Sequence, residues 1–139
     1  MTDATAKGVG RGGPGEPEEL RDENHVVLRG RLAAEPLAFD LPSGDPLVTV
    51  RLVVRRPATR SPRPGAPTVD TLECSAWRPG VRRVVSSWAA GDVVEVAGSL
   101  RRRFWRGPNG AQSRWEVEVA KARRLSRSTT TVRSGGKSA

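Results

Sequence analysis

Histidine and cysteine are almost missing from this chain of 139 residues, His25 and Cys74 being the sole example of each. A lone cysteine forms no internal disulfide, and one histidine with one cysteine cannot build a His/Cys cage for a metal ion. Those two counts exclude most metalloenzymes and thiol-protease arrangements. Isoleucine and tyrosine are absent, and lysine is confined to Lys7, Lys121 and Lys137, so nearly all of the 24 cationic side chains are arginine. No apolar run is long enough to cross a bilayer, and the N-terminal stretch lacks the charged-then-apolar pattern of a secretory signal. No membrane partner is expected, and the expected location is cytoplasmic.

What is present is positive charge. The net charge is +9. The bias toward Arg, Ala, Gly, Pro and Val reads in part as the codon usage of a GC-rich genome of actinobacterial type, which explains some of the arginine but not the sign of the charge. A basic domain attracts polyanions, nucleic acid foremost. The charge is unevenly spread: −3 before Asn24, +6 over residues 24–120 and +6 from Lys121 onward. Residues 1–23 are rich in Gly and Pro, close on an acidic cluster from Glu16 to Glu23 and lack apolar periodicity, so they read as a disordered extension. Residues 127–139 read as a disordered basic tail. Residues 24–126 remain for one domain with an ordinary core.

Within that domain five runs alternate with the two-residue period of half-buried strands. The inward sets are Val26, Leu28, Gly30 and Leu32; Val48, Val50, Leu52 and Val54; Leu72, Cys74 and Ala76; Val94, Val96, Gly98 and Leu100; and Trp115, Val117 and Val119. Val81, Val84, Val85 and Trp88 are spaced instead for one side of a short helix, with Pro79 where it begins and Gly91 where it ends. Three strands, a helix and two strands is the layout of an OB-fold, an all-β five-stranded barrel with one short helix between strands three and four. Residues 56–70, rich in Pro and Gly, read as a long mobile loop. Pro108, Asn109 and Gly110 read as the turn of a protruding hairpin that joins strands four and five.

Strand parity then sorts the cations and rings. Arg29, Arg31, Arg51 and Arg55 fall opposite the apolar sets of their strands, and Arg101, Arg103 and Trp105 share the outward parity of Ser99. An Arg-x-Arg-x-Trp row on a hairpin joins phosphate-seeking cations to a ring on which a base can stack, the arrangement expected for sequence-tolerant binding of single strands. A duplex reader needs a helix for a major groove, and this helix offers only Arg82 and Arg83. The candidate DNA-binding set adds Phe104 and Arg106 on the hairpin, Arg56 after the second strand, and Trp77 with Arg78 after the third. Phe104 has the opposite parity to Trp105. Trp88 is assigned to the core, Trp115 is divided between core and stacking, and Phe39 either caps the barrel or reaches DNA. Cys74 reads as a small core residue and His25 as solvated or structural. Glu116 and Glu118 lie on the polar side of a strand without a partner that implies acid/base work. There is no catalytic constellation, so neither an enzyme nor a cofactor is expected.

Over residues 24–126 these segments resemble the bacterial single-stranded DNA-binding protein family. The resemblance rests on NHVVLRGRL at 24–32, on PSG at 42–44 followed by the strand over 48–55, on CSAWR at 74–78, on GDVVEVAGSLRRR at 91–103 and on RWEVEV at 114–119, in the family's order and spacing. It implies a homotetramer of OB-folds that wraps single-stranded DNA in replication, repair or recombination, close to the nucleoid, with Trp105 stacking on bases. Three departures mark a divergent paralogue. Leu72 stands where many members carry an aromatic, PGVRR at 79–83 replaces the usual run after the Trp-Arg pair, and the chain ends in TVRSGGKSA where main members carry an acidic tip that recruits repair enzymes. Such recruitment is not expected here. Two other readings stay open on the residues alone: an RNA-binding or strand-annealing OB module, and an OB-fold interaction subunit with little affinity for nucleic acid.

Overall fold

The computed structural model describes Gly15, residues 17–58 and residues 63–129. The expectations for residues 1–14 and 130–139, and for the centre of the 56–70 loop, lie outside the described residues. A 3-10 turn, Glu18–Leu20, precedes the first strand. The strands are β1 (Val26–Leu32), β2 (Leu37–Asp40), β3 (Pro46–Arg55) and β4 (Val69–Ala76), then helix α1 (Pro79–Ser86), β5 (Val93–Gly107) and β6 (Gly110–Ser126).

Hydrogen-bonded neighbours run β1-β5-β6-β4-β3-β2, and β1 also pairs with β3 through Arg31↔Val53 and Leu32↔Leu52. That pairing closes five strands into a barrel and leaves β2 on the outside as an extra antiparallel strand against the start of β3. All ladders are antiparallel except the short contact of β4 with β6 at Cys74↔Val117 and Ser75↔Glu118. The barrel is the expected OB-fold. Its core is Leu32, Val48, Val50, Leu52, Cys74, Ala76, Val94, Val96, Val117 and Val119, with Val85 and Trp88 lying across one end. β-branched valine dominates because it packs well on a pleated surface and loses little rotamer freedom there.

Closure requires tight passages between strands. At Gly98 the β5–β6 register slips, and a β-carbon would run into the carbonyl oxygen of Glu118. A residue with no side chain lets the two backbones close on each other at that bulge.

Several sequence expectations are corrected here. The helix ends at Ser86 rather than near Gly91. Asp92 then ties the following turn, accepting hydrogen bonds from the Ala89 amide at 2.9 Å and the Ser128 amide at 2.7 Å. Val84, expected on the buried stripe, is exposed, because a helix this short covers the barrel end with only Val81, Val85 and the Trp88 that follows it. Leu100 and Trp115, expected inward, are 40% and 55% exposed. Their parity is that of the core, but the space on that side is an open cleft, which they line with Arg51, Thr71, Leu72 and Glu73, rather than the closed interior of the barrel. Glu116, expected on the polar side, is only 3% exposed. The loop after β3 spans residues 56–68; its base is tied by the Arg56 amide donating to the Thr68 carbonyl at 2.8 Å and by the Arg56–Asp70 ion pair at 2.9 Å.

Candidate nucleic-acid interface

The ribbon is built by its turn. Pro108 and Asn109 turn the chain, Gly110 takes up a φ of +106° that residues with a side chain rarely adopt, and Gly107 pairs with Gly110. From that closure the register is fixed down to the barrel, and cross-strand partners share a face. One face carries Arg101↔Glu116, Arg103↔Arg114 and Trp105↔Gln112. The other carries Leu100↔Val117, Arg102↔Trp115 and Phe104↔Ser113.

On the first face each ring is matched with a guanidinium. Arg103 lies over Trp77 at 5.5 Å from the ring centre, and Arg114 lies over Trp105 at 5.4 Å. Trp77 reaches this face from the end of β4, where its carbonyl oxygen also accepts a hydrogen bond from Arg82. Trp77, Arg101, Arg102, Arg103, Glu116 and Glu118 line a shallow depression of about 340 Å³. Trp105 is 41% exposed. On the second face Arg102 lies over both Trp115, at 5.1 Å, and Phe104, at 5.6 Å, while donating to the Ser113 hydroxyl at 2.8 Å. Phe104 is 73% exposed. Parity thus separates Phe104 from Trp105 as expected, and it places Trp115 with Phe104.

The sequence profile of the single-strand binding protein family matches residues 23–125. The chain belongs to that family. No curated protein sequence matches it. Among solved structures, the Plasmodium falciparum SSB in complex with ssDNA aligns with a TM-score of 0.62 at 21% identity, over 76% of this chain and 96% of that one. That likeness bears on the fold, and it agrees with the closed OB barrel.

In this single-strand binding family member the arginines expected at the interface fall into two classes. Arg29 donates to Glu95 at 2.7 Å, Arg51 to Glu73 at 3.2 Å, Arg101 to Glu118 at 2.8 Å, and Arg56 grips Asp70 through two hydrogen bonds. These cations are exposed but already partnered. The Asp70 carboxyl is held below the usual range by its hydrogen bonds from Arg56, and that of Glu95 by hydrogen bonds from Arg29 and then Arg123. Among the described residues Arg31, Arg55, Arg78 and Arg106 are exposed with no carboxylate in ion-pair range. Arg31 and Arg55 flank one open cleft on the barrel wall with Arg29 and an apolar floor of Val53, Val69 and Val93.

Two contributors escaped the sequence reading. Arg102 and Arg114 were not in the candidate set, yet they back Phe104, Trp105 and Trp115, the three exposed rings of the ribbon. Counting residues outward from the Pro108–Asn109 turn would have placed Arg114 opposite Arg103 and so beside Trp105. The burial of Glu116 had no local signal, since it depends on Ser75 of β4 arriving alongside.

Proposed function

We propose that this single-strand binding protein holds single-stranded DNA along the ribbon face formed by Arg101, Arg103, Trp105 and Arg114 with Trp77, continuing onto the barrel past the unpaired cations. The observation that carries the reading is the pair of cation-backed rings on one face, Arg103 with Trp77 and Arg114 with Trp105. Bases stack against the two indoles, a mode that tolerates any sequence because every base has a flat face. Arg78, Arg31 and Arg55 meet the phosphates, since they give up no existing ion pair in doing so, and the equally unpaired Arg106, on the face of Phe104, meets them at the ribbon edge. Arg29, Arg51 and Arg56 belong to the interface more weakly, because each must leave a carboxylate first. Phe104, on the other face, contacts DNA only where the strand passes round the ribbon edge. The role is binding rather than catalysis, in replication, repair or recombination, with the domain assembled as a homotetramer in the cytoplasm.

The test is a titration of labelled oligo(dT) into the full chain at several salt concentrations, followed by anisotropy, with light-scattering mass recorded alongside. Binding that weakens steeply with salt and is crippled in Trp77→Ala and Trp105→Ala supports the reading. Equal affinity for wild type and both variants would overturn the assigned face. A mass of one chain in both the free and bound states would remove the tetramer.

A further inference from the structure

We propose that Glu116 is a positioning residue for the strand-binding face, holding Arg103 over Trp77 from a buried seat in the barrel wall. This rests on the binding face proposed above. The Glu116 carboxylate is almost fully removed from solvent, on the stretch of β6 that leaves the barrel for the ribbon. A buried charge is tolerated only where it is hydrogen-bonded and paired. Its Oε2 atom accepts the Ser75 hydroxyl at 2.7 Å, and Ser75 is fully buried in β4. The same oxygen lies 3.6 Å from Nη1 of Arg103. The serine supplies a neutral donor, so Arg103 is the opposite charge that completes the site.

The consequence reaches the ring. The Nη1 end of the Arg103 guanidinium is drawn toward Glu116 while the group lies over the Trp77 indole, 5.5 Å from the ring centre. Ser75, Glu116, Arg103 and Trp77 therefore form a connected series from the barrel wall to the stacking surface, across β4, β6 and β5. The neighbouring pair of Arg101 with Glu118 is different in kind. Its partners are 58% and 40% exposed, so that contact is a surface ion pair, with little power to hold either side chain.

This role has a sign that separates it from simple electrostatics. A carboxylate near a phosphate path repels DNA, so removing its charge should tighten binding. A carboxylate that fixes Arg103 and Trp77 in a receptive arrangement does the reverse, because its loss adds the cost of ordering them on binding. For Glu116 the second effect is expected to prevail, and for Glu118 the first.

The experiment measures oligo(dT) affinity at low salt on the full chain, with Glu116→Gln, Glu118→Gln and Trp77→Ala compared, and records the Trp77 indole N–H resonance of the DNA-free protein. Glu116→Gln keeps an acceptor for Ser75 and loses the charge; it should weaken binding by about five-fold, the scale of immobilising one long side chain, although it makes the protein more basic. Glu118→Gln should bind more tightly. The Trp77 resonance should move in Glu116→Gln and stay in Glu118→Gln, and in an Arg103→Ala background Glu116→Gln should add no further loss. If Glu116→Gln binds as well as or better than wild type while Trp77→Ala is impaired, the face stands and the positioning role is wrong. If Trp77→Ala binds normally, the face itself fails and this role with it. Should Glu116→Gln not fold, Ser75→Ala serves instead. It leaves the charge and removes one buried hydrogen bond, so a loss of about two-fold with a shifted Trp77 resonance is expected, and no change in either overturns the proposal.

Discussion

The guanidinium of Arg114 lies 5.4 Å from the centre of the Trp105 ring, although the register partner of Arg114 is Arg103 and that of Trp105 is Gln112. The contact is diagonal across the ribbon, within reach of long and aromatic side chains on one face of an antiparallel pair. It keeps a cation beside a ring that remains open to solvent, so stacking and charge neutralisation are offered at one place.

Trp105→Ala is accordingly expected to weaken oligo(dT) binding by about 1–3 kcal/mol, the usual worth of one stacked base. Arg114→Ala should cost less, since it leaves the ring in place. Anisotropy titrations at fixed salt measure both. Because Trp105 packs against no core residue, thermal unfolding of Trp105→Ala should match wild type, and a large fall in Tm would mean that the ring is structural.

The division of arginines into paired and unpaired has its own signature in salt. Replacing Arg106 by alanine should reduce the magnitude of the slope of log affinity against log salt by roughly 0.7, as for one phosphate contact to a single strand. Replacing Arg29, which shares Glu95 with Arg123, should change the slope less. Equal changes in the two variants would show that the ion pairs seen in the free protein do not govern which cations meet phosphates.

Cys74 predicts alkaline behaviour. Burial, and then the charges of Glu73 and Glu116, push its thiol up to about 12 from an ordinary value of about 9. Above about pH 9 the unfolded chain releases a proton that the native state keeps, so the associated stability is present below that pH and is lost as pH rises toward about 12. Urea midpoints should fall between pH 8 and 10.5 more steeply for wild type than for Cys74→Ala. In native protein at pH 8 the thiol should resist alkylation that proceeds readily once the chain is unfolded.

Gly98→Ala tests barrel closure apart from binding. The added methyl would meet the Glu118 carbonyl oxygen, part of the backbone of β6, which cannot swing aside as a side-chain tip would. A destabilisation of about 1–3 kcal/mol is expected, read as a lower urea midpoint. An unchanged midpoint would mean that the β5–β6 bulge relaxes freely.

Much of the core was legible by parity, although Thr49 and Ser75, of the outward parity, are buried as well. Val48, Val50 and Leu52 on β3, or Val94 and Val96 on β5, alternate in sequence and are buried as their parity demands. The same parity put Arg101, Arg103 and Trp105 on one outward face. It misplaced Leu100 and Trp115 because alternation states which side of a strand a residue occupies, not whether the space on that side is a closed core or an open cleft. β2 was missed because LAFD at 37–40 is short and exposed on both faces, so no apolar alternation marks it.

The amino-acid sequence by itself determined the five barrel strands and the helix in order, the side of most strand residues that faces inward, the turn that closes the ribbon and the outward row of cations with Trp105. These follow from local chemistry: a period of two, a Pro-Asn-Gly turn, a helix spacing. Only the tertiary structure decided where the barrel wall ends, which arginines find a carboxylate, and that Glu116 is buried against Ser75. Those depend on which strands lie side by side, and the short β4–β6 contact that brings Ser75 to Glu116 joins residues 41 apart in the chain. Barrel closure makes that contact, and no local pattern in either strand encodes it.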